Sequence, residues 1–248
     1  NTVNPQYLGE HQYNPGFFGY DITKVMTKKF EKNGIIYTCK GGFIDLAHVR
    51  GMMDLGVYLF YQVYKNIGQS KTLTLPVELG KRKIILKSIP EKMTLKRKMT
   101  LAIDIAMWVT YQLSTMHEIA QWHGFKNYSF WSEEPSAYSP EDAYSNLLGV
   151  IIAKGIIRGG SAINKKIYSN AADRWLKSTL KWLGKVSKKE TNQYLSLVDG
   201  LWWDSKIYLP QKSFLLKRNY SASRKQKPFL VTDEKILKNK LKNLSCPL

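Results

Sequence analysis

The sequence predicts a mainly α-helical fold with a few short strands, an α+β single domain over residues 1–248 with a helical core. Three observations carry that prediction. Apolar residues recur at helical spacing through several long segments. The β-branched stretches are short and bounded by Gly, Pro or charge. No internal repeat and no convincing domain boundary interrupts the chain.

The elements follow in order. Residues 1–34 are rich in Asn, Gly, Pro and Tyr without a sustained period, and read as an irregular arm lying over the domain. "GIIYTC", residues 34–39, reads as a short buried strand. Gly41-Gly42 breaks it, and a helix follows from about Ile44 to Tyr64. There Leu55, Tyr58, Leu59 and Val63 keep helical spacing, and Arg50 stands four residues before Asp54, a pairing distance. "TLTLPVELGKRKIILKSIP" alternates weakly around Pro76 and Gly80 and reads as a hairpin. A second helix runs from Thr94 or Thr100 to Trp122, with Gly124 as its C-cap glycine. "YSPEDAYSNLLGVIIAKGII" predicts a third helix with Ser139 as N-cap, Pro140 at the first position and Asp142 completing a capping box. "NKKIYSNAADRWLKSTLKWLGKV" is a fourth, amphipathic through Ile167, Ala171, Trp175 and Leu183. "ETNQYLSLVDGLWW" adds a short fifth. "KIYLPQKSFLLKRNYS" and "KPFLVTD" read as extended, before a basic tail at 232–248.

Charge and cysteine content bound the partners. The formal net charge is +19, which suits a polyanionic partner such as nucleic acid, anionic lipid or a phosphorylated polymer. It also suits a lysine-rich surface that serves solubility alone. The lysines are scattered, and the arginine–aromatic interleaving of nucleic-acid modules is missing. Residues 101–150 are the exception, with one Lys against six carboxylates. No run of about 18 apolar residues exists, so no transmembrane segment is expected. Two cysteines, Cys39 and Cys246, permit one bridge in an oxidising compartment or two inert thiols. The start at Asn1 is what a cleaved export signal or a trimmed chain would leave.

Chemistry concentrates in the acidic block, at "LSTMHEIAQWHGF", residues 113–125. A helix turns about 100° per residue, so His117 and His123 lie about 120° apart and do not converge on one ion. The zincin motif H-E-x-x-H needs its second histidine where Gln121 stands, so the segment is not a zincin. His117 and Glu118 could still serve a site completed by other helices. In "GGFIDLAHVR", Asp45 and His48 are three apart on one face, and a carboxylate there could hold a ligating imidazole by its second nitrogen. Glu141 and Asp142 open the third helix. Two histidines with a carboxylate, and Glu118 free as general base, is the ligand count of a catalytic divalent metal such as zinc. Against this, a helical histidine is commonly a hydrogen-bonded core residue, and capping alone explains Glu141 and Asp142. Two further candidates are a thiol nucleophile at Cys39 and a sugar-binding groove of Trp202, Trp203 and the aromatics around 128–131.

The blocks "LGEHQY", "NGIIYTCKGGFIDLAHVR", "LTLPVELGKRKI", "MHEIAQWHGF", "SAYSPEDAYSNLLG" and "DGLWWDS" together resemble an uncharacterised family of exported bacterial proteins, a domain of unknown function. The resemblance covers roughly Leu8 to Val231. It implies a single domain and an exported protein, periplasmic, lipoprotein-anchored or secreted, and assigns no reaction. Its recurrent blocks carry His11, Asp45, His48, Arg50, His117, Glu118, Glu141, Asp142 and Asn146. The resulting expectation is an exported metal-dependent hydrolase acting on an envelope polymer or a host molecule. His48 and His117 bind the ion with Glu141 or Asp142. Glu118 activates its water beside Arg50, and Asp45, Asn146 and His11 support the ligands. The alternative is a non-enzymatic envelope or secreted protein that binds a polyanion.

Overall fold

A stripe of large apolar residues makes one helix the centre of the molecule. The computed structural model describes residues 1–14, 31–89, 93–126 and 132–246. In it α1, Leu46–Asn66, buries Leu46, Val49, Met52, Met53, Leu59, Phe60 and Val63 and packs against both α2, Leu95–Trp122, and α3, Asp142–Arg158. The Asp45 side chain starts α1 by accepting from the Ala47 amide at 2.6 Å, one of the amides a helix start leaves unpaired. Thr94 does the same for α2 through the Arg97 amide. Gly124, at φ +87°, lies just beyond the α2 C-cap, as the sequence predicts.

The α1–α3 seam is close because Gly149 has no side chain. A Cβ there would overlap the Val49 carbonyl oxygen. α4, Lys165–Trp182, packs on α3, and α5, Lys188–Leu197, lies against the first strand. The buried face of α4 carries Tyr168, Ala171, Ala172, Leu176 and Leu180. Ile167 and Trp175 lie at its exposed edge, so the face is rotated from the predicted one, with Tyr168 and Leu176 taking the inward direction.

Two hairpins complete the regular structure. β1, Ile35–Thr38, pairs antiparallel with β2, Gly42–Asp45, and β3, Lys71–Leu75, with β4, Arg82–Leu86. The second was legible in the alternation. β2 was not, because Gly41-Gly42 reads as a breaker. Gly42 instead takes φ +65° and turns the chain back, so α1 starts at Leu46 rather than Ile44. The expected Ser139 cap is also corrected. Ser139, Pro140 and Glu141 precede α3, and Glu141 caps it without a side-chain bond, because the Ser139 hydroxyl is engaged by the Glu141 and Asp142 carboxylates.

Past α5 the expected extended segments are irregular, with 3-10 turns at Lys212–Phe214, Val231–Asp233 and Lys235–Leu237 and a one-turn α6 at Lys238–Leu241. They cover a second apolar cluster built on Tyr37, Phe43, Tyr194 and Trp202. Cys246 joins this cluster and is disulfide-bonded to Cys39, which rules out the thiol nucleophile. Trp202 is fully buried and donates to Glu234 at 2.7 Å, so it lines no sugar groove; residues 128–131 lie outside the described residues. Among the described residues, no helix is long and apolar enough to cross a membrane.

Candidate metal centre

The loop from β2 into α1 and the start of α3 meet at one point. Asp45 ends β2, His48 lies one turn into α1, and Asp142 is the first residue of α3. One ligand atom from each lies within 4.8 Å of the others. The His48 Nε2 atom is 3.4 Å from Asp142 Oδ1, and its Nδ1 is 3.1 Å from Asn146 Oδ1. Asn146 follows Asp142 by one turn of α3, so a single helix face presents both a donor and its positioning partner. The Asp45 amide donates to Ser145 Oγ at 2.9 Å, which ties the end of β2 to the same helix.

Glu118 reaches this place from α2. Its Oε2 accepts from the Tyr138 amide at 2.7 Å. Its Oε1 is buried and, among the described residues, without a hydrogen-bond partner. Tyr138 sits at φ +59°, a conformation uncommon for a bulky residue, held by that bond and by the Asn219 amide on its carbonyl.

The electrostatics follow from crowding carboxylates in a dry place. Burial, then the charge of Asp142, pushes Glu118 up to about 8. The same two causes push Glu141 up to about 8. Asp142 is raised by burial against the pull of His48. Burial disfavours the charged form of His48, but Asp142, Asp45 and Glu118 outweigh it and raise the imidazole to about 10. Protons are thus retained where separated carboxylates would have shed them. A divalent cation is the other way to neutralise such a cluster.

The remaining expected site residues go elsewhere, for reasons of helix geometry. His117 is one residue before Glu118, about 100° round α2, and faces the β3–β4 hairpin. Its Nδ1 is 3.2 Å from Glu78 Oε1 and its Nε2 is 3.9 Å from Glu133 Oε2. It is not one of the three grouped donors, though its charge acts on Asp142. Arg50 is two residues past His48, on the far side of α1, and donates to the carbonyls of Leu8 and Lys32 and to Asn33. It also pairs with Glu31 at 3.3 Å rather than with Asp54. His11 lies between Glu31 at 3.0 Å and Asp54 at 2.8 Å, and Tyr168 donates to Asp54 at 2.6 Å. These groups pin the arm to α1 and α4. Asp45, expected to hold the imidazole, supplies a donor of its own while Asn146 holds the ring. The signal for that was its place immediately before a helix. Glu78 and Ser145 carried no sequence signal.

A family model described as a protein of unknown function (DUF4056) matches residues 1–232. No curated protein and no solved structure matches the chain.

Proposed function

We propose that this chain, which belongs to that family of proteins of unknown function, is a metal-dependent hydrolase whose cation is held by Asp45, His48 and Asp142. The observation that carries the reading is the convergence of these three donors from the end of β2 and the starts of α1 and α3, with the buried, unpartnered Glu118 Oε1 in the same cluster. Three protein ligands with a vacancy for water is the arrangement of catalytic metal sites. Asn146 holds the His48 ring through Nδ1, so Nε2 is the nitrogen that would bind the ion. An ion held there would supply an activated water, and Glu118, in the same cluster, is the carboxylate placed to accept its proton. One imidazole with two carboxylates suits zinc or manganese.

The substrate is an envelope polymer or a host molecule, and the protein acts after export. The Cys39–Cys246 disulfide supports that location, since such bridges persist in oxidising compartments. A purely polyanion-binding role has the net charge in its favour but leaves the buried carboxylates without a purpose.

The test is elemental mass spectrometry on protein purified without chelator, beside His48→Ala and Asp142→Asn variants checked by circular dichroism. Near-stoichiometric zinc or manganese in the wild type, lost from both folded variants, is the expected result. A wild type that takes up no divalent ion, even after dialysis against each, refutes the reading.

A further inference from the structure

Apolar side chains stand in solvent along a line crossing three helices. Trp108 on α2 is 49 % exposed, Ile151 on α3 55 %, and Trp175 and Trp182 on α4 43 % and 68 %. The contacts between helices make the line continuous. Asp104, one turn before Trp108, bridges to Lys154, three residues after Ile151. Gly155, one turn after Ile151, is the residue on which the Trp175 ring rests. Trp182 follows Trp175 by two turns on the same side of α4.

Apart from Asp104, which Lys154 pairs, the charges beside the line are mostly basic. α4 carries Lys165, Lys166, Arg174, Lys177 and Lys181 against the single acid Asp173. Asp173 is turned inward, accepting from the His11 amide at 3.1 Å. The Lys40 ammonium lies 5.4 Å from the Trp182 ring centre. Indole rings with a basic rim are the side chains that settle at the boundary between headgroups and acyl chains of an anionic bilayer. A soluble polyanion would meet the charges and leave the indoles unused.

We infer that this strip is a docking face for an anionic lipid surface, with Trp108, Ile151, Trp175 and Trp182 entering the interface and the flanking Lys40, Lys165, Arg174 and Lys181 reaching lipid phosphates. The face is independent of the proposed metal centre. It would hold the protein at a membrane surface, and the attachment would weaken with salt.

Sedimentation with vesicles tests it, using phosphatidylcholine alone and an equimolar mixture with phosphatidylglycerol. The wild type is expected to bind only the anionic vesicles. Trp108→Ser/Trp182→Ser is expected to bind about tenfold more weakly, with unchanged metal content and melting temperature. Tyr208→Ser removes an exposed aromatic that is 84 % accessible outside the strip and is expected to change nothing. Failure of the wild type to bind, equal binding by the double variant, or equal loss in Tyr208→Ser overturns the inference. Retention on heparin without vesicle binding also overturns it, in favour of a polyanion. So does a self-association in ultracentrifugation that the double variant abolishes, because a second copy would then be what covers the strip.

Discussion

His48 and Asn146 are joined across the α1–α3 seam, Nδ1 to Oδ1 at 3.1 Å, and this leaves Nε2 directed at Asp142. The pair fixes which ring nitrogen faces Asp142. Asn146→Ala is therefore expected to keep the fold but weaken metal binding by about 10–100-fold, the usual effect of losing a positioning partner. Titration calorimetry with zinc checks this. Wild-type affinity in the variant would show that His48 needs no such support.

Glu118→Gln separates the base from the ligands. It removes a carboxylate held near other carboxylates, so the metal-free variant is expected to melt at a higher temperature than the wild type. Metal content should be unchanged, and hydrolysis should fall by about 10²–10⁴-fold, the usual contribution of a general base. A variant that loses its metal would make Glu118 a ligand instead.

The arm reports on pH through His11. Burial disfavours the charge, but Asp54 and Glu31 outweigh it and raise the ring from 6.5 to about 9. The folded state thus holds the proton more tightly than the unfolded chain. The stability this supplies is complete below pH 6.5 and is lost as pH rises through 9. Urea unfolding across that window should show a loss on the order of 2 kcal/mol in the wild type beyond that in His11→Gln. Identical pH slopes would place the titration elsewhere.

Two glycines on the α1–α3 pair should respond with opposite signs. Gly149→Ala forces the seam apart and is expected to cost about 1–3 kcal/mol, with weaker metal binding because His48 and Asp142 lie on opposite sides of that seam. Gly51 has nothing near the place a Cβ would occupy, so Gly51→Ala should stabilise α1 by up to about 1 kcal/mol. Thermal melts of both variants decide the matter.

How far the sequence discloses this architecture depends on the range of the determining contact. α1, α2 and the β3–β4 hairpin were legible because spacing, Thr94 and Gly124 are local signals. β2 was missed because the same glycine that breaks a strand can also turn one. His48, Asp142 and Glu118 could be picked out as polar residues on three helices. The separation of His117 from Glu118 needed the position of the hairpin, which brings Glu78 onto α2 from 39 residues away. The burial of Trp202 likewise depends on segments that carry no period of their own.

The Cys39–Cys246 bridge spans 207 positions of sequence, and all six helices among the described residues lie between its ends. Those helices therefore belong to a covalently closed ring. A single protease cut anywhere on the ring opens it without releasing a fragment, and the nicked molecule stays one species until it is reduced. That is tolerance of damage built into connectivity. It is visible as bands that part on a gel only when a reductant is added.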